Sequence, residues 1–147
     1  MALNVKFGVS TWLWTSPFNK ETVSLFPKIK SYGYDAVEIP VEDPELVDLA
    51  VVKKALEDNG LNAIICGAFG PSRDFTHDDP TFHDTCFKYM DQCFEIASEL
   101  GAKFVAGPMY SAVGKARLVS PEQKKIEWDR AVQNLRKVCG KARNHGL

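Results

Sequence analysis

Aromatic and hydroxyl side chains are concentrated in one short stretch near the N-terminus. Residues 10–18, STWLWTSPF, contain Ser10, Trp12, Trp14 and Phe18. An aromatic ring can pack on the apolar CH side of a sugar, while neighbouring hydroxyl groups can hydrogen-bond to the sugar hydroxyls. This stretch therefore predicts contacts with a carbohydrate or another polyol. A structural role, in which the tryptophans only close one end of the fold, explains the same residues equally well.

Glu38 lies between apolar residues in the run 35–40, DAVEIP. A carboxylate in a stretch that is otherwise buried needs a partner, because its pKa rises without one. Glu38 could contact a substrate hydroxyl or orient a neighbouring catalytic group. The structural alternative is an ion pair with a lysine or an arginine.

Two later segments combine glycine, proline and charged residues, CGAFGPSRDFTHDD at 66–79 and AGPMYSAVGKAR at 106–117. In the first, Arg73, Asp74 and His77 could reach a ligand, although a solvated loop is the simpler explanation for the histidine. The second is expected to form another wall of the same pocket, through Gly107, Pro108, Met109, Tyr110 and Ser111. Its two cations, Lys115 and Arg117, are expected to be surface charges.

No catalytic centre and no metal site is apparent in the sequence. Metal-assisted sugar chemistry requires several carboxylates and a histidine that converge on one cation. The histidines, at 77, 83 and 145, fall in a loop, near a helix start and at a helix end. Neither a nucleophile elbow nor a Ser/His/Asp arrangement occurs at a plausible site. The sequence thus predicts a pocket wall that has no catalytic and no metal-binding residues of its own.

Four short apolar runs have the character of β-strands and would position these side chains. They cover residues 6–10, 35–40, 62–69 and 102–109. Most are apolar at successive positions, which is typical of parallel strands covered on both faces. The chemical groups described above follow the ends of these runs, where parallel α/β folds collect their working residues.

Segments with helical periodicity separate the runs. The predicted N-caps are Asn19, before a helix that extends to Tyr32, and Asp43, Asp79 and Ser120, each followed by proline. The apolar stripe of the second helix is Leu46, Leu49, Val52 and Leu56, and that of the fourth is Trp128, Ala131, Leu135, Val138 and Ala142. A glycine suited to a left-handed C-cap ends each helix, at Gly33, Gly60, Gly101 and Gly146.

This repeated pattern predicts four βα units in one domain, residues 1–147, with Leu147 where a fifth strand would begin. Two α/β architectures accommodate a (βα)4 chain. One is a free-standing open sheet of four parallel strands. The other is the N-terminal half of a TIM (β/α)8 barrel, which typically needs about 250 residues. The lack of GxGxxG and GxxxxGK[ST] sequences, together with the long aromatic and polar segments after the strands, favours the half-barrel.

The composition excludes several other classes of protein. The net charge is -1, with 45% hydrophobic and 25% charged residues, and the charges are interspersed, so no basic surface for nucleic acid is expected. No apolar run approaches the roughly 20 residues of a membrane span, and no secretory signal is apparent. We therefore expect a cytoplasmic protein that binds neither nucleic acid nor membranes. The cysteines, at 66, 86, 93 and 139, are expected to be buried thiols.

Several segments resemble the N-terminal half of the D-tagatose/D-psicose (D-allulose) 3-epimerase family, which belongs to the xylose-isomerase-like TIM-barrel sugar isomerases and epimerases. They are FGVSTWLWTSPF, GYDAVEIPVEDP, IICGAFGPSRD and GAKFVAGPMYSAVGKAR followed by EWDRAVQNLRKV. The resemblance covers nearly the whole chain. It implies an isomerase that epimerises free ketoses at C3 through a cis-enediolate and depends on Mn²⁺, Mg²⁺ or Co²⁺.

The resemblance also implies where the chemistry lies. In the family, two catalytic glutamates, an aspartate and a histidine hold the metal, and all four come from the second half of the barrel. The resemblance therefore implies that this chain has no catalytic residue and no metal ligand and is inactive alone. The substrate-binding positions that it carries over are Ser10, Trp14, Phe18, Glu38, Ala68, Phe69 and Pro108.

Two alternatives remain open at the level of the sequence. Within the same superfamily, an inosose dehydratase or a hydroxypyruvate isomerase is the enzymatic alternative. The other is a non-catalytic (βα)4 module that binds a polyol or serves as an assembly unit. The open edges of a half-barrel favour pairing, either between two copies or with a complementary half-barrel.

Overall fold

Four parallel strands form one sheet in the order in which they occur in the chain. The computed structural model describes residues 5–147. The strands are β1 (Gly8–Ser10), β2 (Ala36–Val41), β3 (Asn62–Gly67) and β4 (Val105–Ala106). All neighbouring pairs are parallel, as predicted. The two edge strands are shorter than the predicted runs at 6–10 and 102–109, because each pairs on one side only.

A helical segment follows every strand. The α-helices are α1 (Phe26–Ser31), α2 (Leu49–Asn59), α3 (Pro80–Glu99) and α4 (Pro121–Asn144). Short 3-10 helices cover Thr11–Leu13, Lys20–Leu25 and Pro44–Leu46. The chain is therefore four βα units, as the sequence predicted. No helix among residues 5–147 combines the length and the apolarity that a membrane crossing requires.

The strand order decides the architecture. A connection between neighbouring parallel strands is right-handed in almost all proteins, so units in sequential order place their helices on the same side of the sheet. A doubly wound sheet would instead need a point at which the strand order reverses. The order β1-β2-β3-β4 contains no reversal. It is the order expected of half a (βα)8 barrel, which confirms the predicted fold class.

The burial of the strand side chains agrees with this arrangement. Val37 and Ile65 are fully buried, in one core with apolar residues of all four α-helices. Ser10, Glu38 and Ile64 alternate with such residues, align across β1, β2 and β3, and are only partly buried. We call the side of the sheet that carries these three residues the open face. Ala36, Pro40 and Cys66, which lie on this side as well, are buried, so burial on both faces holds for most of β2 and for the end of β3.

Two predicted helices are divided. The segment after Asn19 begins as a 3-10 helix and becomes α1 only at Phe26. The segment after Asp43 stops after one 3-10 turn, and a second cap starts α2, where Asp48 Oδ1 accepts a hydrogen bond of 3.1 Å from Val51 N. Leu46 consequently lies outside the predicted stripe and is exposed.

The starts of α3 and α4 are confirmed. Asp79 Oδ1 accepts a hydrogen bond of 2.9 Å from Thr81 N, and Ser120 Oγ accepts one of 3.2 Å from Gln123 N. The prediction that Trp128 packs inward is wrong, since 68% of this residue is exposed. No residue in the first ten of α4 is buried, so the tryptophan belongs to a part of the helix that extends past the core.

All four predicted glycine caps are confirmed by positive φ angles, 88°, 57°, 69° and 72° in chain order. At Gly101 the following residue closes the helix, because Ala102 N donates a hydrogen bond of 2.9 Å to Ala97 O. The expectation for the cysteines holds at Cys66, Cys86 and Cys93, which are buried free thiols. It is wrong for Cys139, which lies on an exposed side of α4.

Candidate functional site at the strand ends

The carboxyl ends of the parallel strands bring several of the predicted residues together. Ser10 and Glu38 are register partners in β1 and β2. Ala68 and Pro108 follow the ends of β3 and β4, and these ends are joined by a hydrogen bond of 3.2 Å from Phe69 N to Pro108 O. Ser10, Glu38 and Ala68 are partly exposed and Pro108 is exposed. In register Glu38 pairs with Ile64, four residues before Ala68, so these residues form two accessible pairs, Ser10 with Glu38 within the sheet and Ala68 with Pro108 beyond the ends of β3 and β4.

Two of the predicted residues lie elsewhere. Phe18 and Phe69 are only 2% and 1% exposed. The ring of Phe69 packs edge-on against Phe75 and Tyr89, with centroids 5.3 and 6.0 Å away. Both phenylalanines therefore belong to the core and present no surface to a ligand in this structure.

Trp12 and Trp14 lie in loop 1, which we define as residues 11–19, and each is 38% exposed. Ser10 Oγ accepts a hydrogen bond of 3.4 Å from Trp12 N. Trp14 borders a cavity of about 240 Å³ with polar neighbours that include Thr15 and Asn19. The aromatic rings thus remain accessible next to hydroxyl and amide groups, as binding to a polyol requires.

Loop 1 is attached to the end of β2 by Glu42, a residue that the sequence analysis did not single out. Its Oε1 accepts a hydrogen bond of 2.6 Å from Ser16 Oγ, and its Oε2 accepts one of 3.2 Å from Phe18 N. Its backbone oxygen accepts a hydrogen bond of 3.0 Å from Arg73 Nη2. The only local signal was an acidic residue one position after a buried strand, which does not identify its partners.

Arg73 and Tyr89 continue this network to the end of β3. The Arg73 guanidinium lies over the Tyr89 ring, 3.9 Å from its centroid. The Tyr89 hydroxyl donates to Val41 O and accepts a hydrogen bond of 2.7 Å from Ala68 N. Burial raises the pKa of Tyr89 far above its ordinary value, so the hydroxyl stays protonated. The expectation that Arg73 reaches a ligand is wrong in this structure, because it connects two strand ends.

Asp74 organises the loops that follow β3 and β4. Its carboxylate is buried, with Oδ2 2.7 Å from Lys115 Nζ and Oδ1 2.6 Å from Thr76 Oγ1. Burial would raise the pKa of Asp74, but the hydrogen bonds from Lys115 and Thr76 outweigh burial and lower it. Asp74 is therefore structural rather than ligand-facing, and Lys115 is its partner rather than a surface charge. Arg117 pairs with Glu127 but is exposed, so the expectation of a surface charge is confirmed for this residue.

Glu38 differs from Glu42 and Asp74, whose carboxylates accept hydrogen bonds from loop residues. Among residues 5–147 its side chain has no ion-pair partner and no hydrogen bond, so the structural alternative of a lysine or arginine partner is not observed. Burial, together with the negative charges of Glu38 and Glu42, raises the pKa of the nearby Cys66 thiol to about 11. Glu38 is thus a carboxylate on the open face whose acceptor capacity is unused by the described residues.

The comparison with known families agrees with this geometry. Residues 26–147 match the family profile described as "Xylose isomerase-like TIM barrel". The chain belongs to this family. The predicted resemblance to xylose-isomerase-like sugar isomerases and epimerases is therefore confirmed.

Among curated members of the xylose isomerase-like family, the chain is similar to the ketose 3-epimerase of Arthrobacter globiformis. The two are 30% identical over 112 residues, which are 76% of this chain and 39% of the relative. It is also 23% identical over 143 residues to the L-ribulose 3-epimerase of Mesorhizobium japonicum, across 97% of this chain and 47% of the relative. The chain thus spans less than half the length of these curated relatives.

A solved structure extends the comparison to the fold. The D-allulose 3-epimerase of Methylomonas sp. in complex with D-allulose has a TM-score of 0.88 and 20% identity, and the match covers 97% of this chain and 49% of that chain. At this identity the likeness concerns the fold alone. The xylose isomerase-like chain therefore has the backbone of about half of such a barrel.

The described residues do not form a metal centre. No group of three or more His, Cys, Asp or Glu side chains is arranged around a common point within residues 5–147. His77 Nδ1 accepts a hydrogen bond of 3.0 Å from Asp79 N, and its ring stacks on Phe82 at 3.8 Å. His83 Nε2 lies 2.7 Å from His77 O. The donor set of this part of the barrel thus does not fit the divalent cation that the resemblance implies.

Proposed function

We propose that this chain supplies the substrate wall of a ketose 3-epimerase, an isomerase that acts on free ketoses. The observation that carries the proposal is that the partly exposed Ser10 and Glu38 are register partners and that the carboxylate of Glu38 has no partner among residues 5–147. Hydroxyl and carboxylate oxygens suit the hydroxyl groups of a sugar. The similarity to ketose 3-epimerases supports the choice of substrate class.

We further propose that the chemistry requires residues outside this chain. A divalent cation, Mn²⁺, Mg²⁺ or Co²⁺, and the two catalytic glutamates would come from further βα units that complete the barrel. Trp14, Glu38, Ala68 and Pro108 would then line the sugar, whereas the buried Phe18 and Phe69 would support the wall from behind.

The first test is the activity of the chain alone. The purified 147-residue chain is incubated with D-fructose and Mn²⁺, and D-psicose is measured by chromatography. We expect no conversion. Turnover by this chain would contradict the proposal, because it would place the complete catalytic apparatus within these residues.

The second test restores the missing part. The chain is co-expressed with the part of the Arthrobacter globiformis enzyme that lies beyond its matched segment, and the co-purified complex is assayed with Mn²⁺. We expect conversion by the complex and none by either part alone. The matched variant Glu38→Gln should assemble equally well and convert the ketose more slowly. A complex that forms but binds no ketose would refute the assignment of the substrate wall.

A second candidate is a non-catalytic assembly or polyol-binding module. It is favoured by the two edge strands, each with a single neighbour, and by an apolar side chain near one edge, Phe104, which is 54% exposed. Unpaired strand edges invite pairing with another chain. Sedimentation of the chain would discriminate, because a folded species that remains monomeric at high concentration argues against a unit built for edge pairing.

A further inference from the structure

We propose that Glu42 is a positioning residue for sugar binding, because it attaches loop 1, which contains the accessible Trp14, to the end of β2. This inference rests on the proposed function. It concerns a residue directly after β2 that is not among the substrate-binding positions that the resemblance carries over. The contacts of its side chain are what single it out.

The side chain of Glu42 accepts two hydrogen bonds from loop 1, both from residues that follow Trp14. Oε1 accepts from Ser16 Oγ at 2.6 Å, and Oε2 accepts from Phe18 N at 3.2 Å. Hydrogen bonds to a carboxylate are shorter and stronger than those between neutral groups. The two oxygens of one side chain thus attach two points of loop 1 to the end of β2, across a sequence separation of 24 to 26 residues.

The backbone of Glu42 is also held by a hydrogen bond, from the side chain of Arg73. Its backbone oxygen accepts from Arg73 Nη2 at 3.0 Å, and the guanidinium lies on Tyr89, which is itself hydrogen-bonded to Ala68 N at 2.7 Å. Loop 1 is therefore hydrogen-bonded to a residue, Glu42, that is connected to the ends of both β2 and β3. A shift of Glu42 would move Trp14 relative to Ala68, two residues that the proposed function assigns to the sugar.

The remaining contacts of loop 1 do not replace Glu42. Trp14 N and Thr15 N both donate to Thr11 O, at 2.9 and 3.0 Å, so these bonds keep the first turn of the loop intact without attaching it to another strand. Within residues 5–147, the side-chain hydrogen bond from this turn to β2 is from Thr11 Oγ1 to Glu38 O, at 3.5 Å, which is long for an O–H donor. Removing the Glu42 acceptor should therefore loosen the position of the loop and leave its local turn unchanged.

The test uses Glu42→Gln, which keeps the shape of the side chain and one acceptor oxygen but cannot accept at both positions. Its matched control is Glu45→Gln, a nearby exposed glutamate whose carboxylate makes no hydrogen bond among the described residues. Amide hydrogen exchange at Phe18 is measured by NMR in the full 147-residue chain. We expect exchange at least about tenfold faster in Glu42→Gln, since a bond to a charged acceptor is lost, and no change in Glu45→Gln.

The second readout is the Trp14 indole NH signal during titration with D-fructose. We expect a saturable shift in the wild-type chain, an affinity about tenfold weaker in Glu42→Gln, and unchanged binding in Glu45→Gln. Urea unfolding of each variant separates this effect from a general loss of stability, because a purely structural role would change the midpoint and leave the affinity of the folded protein unaltered.

The outcomes distinguish the two proposals. Wild-type binding that Glu42→Gln leaves unchanged would overturn the role of Glu42 and leave the substrate wall intact. A wild-type chain without any D-fructose shift at Trp14 would overturn the substrate wall and with it the role of Glu42 in binding. Unchanged Phe18 exchange in Glu42→Gln would overturn the attachment of the loop itself, whatever the sugar does.

Discussion

Replacing Lys115 by methionine tests the buried ion pair that joins the loops after β3 and β4. Lys115 Nζ lies 2.7 Å from Asp74 Oδ2, and the two side chains are 21% and 4% exposed. Methionine preserves most of the apolar stem and removes the charge. Breaking a buried pair by removing one partner typically costs about 3–5 kcal/mol. Because Asp74 keeps both of its hydrogen bonds from Thr76, we expect the lower end, about 3 kcal/mol of the free energy of unfolding.

The measurement is urea unfolding at pH 7, followed by circular dichroism. The matched control is Lys125→Met, because the Lys125–Asp129 pair has a similar distance of 2.6 Å but side chains that are 74% and 51% exposed. We expect the control to lose no more than about 0.5 kcal/mol. Equal losses in the two variants would refute the reasoning, since the Lys115 pair is the buried one and Lys115 Nζ also donates a hydrogen bond of 2.6 Å to Thr76 Oγ1.

The pH dependence provides an independent check. The pKa of Asp74 is lowered in the folded chain, so its contribution to stability is present above the ordinary aspartate value of 3.8 and is lost as the pH falls through the folded value. In Lys115→Met the lysine no longer lowers the pKa of Asp74, so that pKa is higher than in the wild type, although the hydrogen bonds from Thr76 still lower it. The stability difference between wild type and variant should therefore be largest at pH 7 and shrink in acid. A difference that stays constant down to pH 3 would contradict this account.

Three further predictions follow from single contacts. Gly101→Ala should destabilise the chain by about 1 kcal/mol, because φ is 69° there. Gly140→Ala should stabilise the chain by about 0.5 kcal/mol, because Gly140 lies in the interior of α4 with open space around it. The midpoints of urea unfolding check the sign of both changes. Cys139 alone should react with a maleimide in the folded chain, and all four thiols should react in urea, because the other three are buried. Tyr89→Phe should lose about 1–3 kcal/mol on unfolding in urea, because a buried carbonyl and a buried amide lose their partner.

The half-barrel could be predicted from the sequence because its signals are local. The Asp79 cap joins atoms two residues apart, and the closure of α3 at Gly101 joins atoms five residues apart. Such bonds depend on residue type and spacing, and both can be read directly. The same repeat predicts that β1 and β2 are parallel neighbours, and this places Ser10 at the end of β1 beside Glu38 in the middle of β2.

The contacts that hold the site could not be predicted in this way. Glu42 meets loop 1 across 24 to 26 residues, and Asp74 meets Lys115 across 41, and nothing in the local sequence identifies either partner. Trp128 fits a helical stripe, yet it is exposed because it lies where α4 extends past the core. The sequence by itself determined the order and the ends of most elements. Only the tertiary structure decided which carboxylates accept hydrogen bonds from the loops, as Glu42 and Asp74 do. It also decided which have no partner among the described residues, as for Glu38, because pairing depends on distances between segments far apart in the chain.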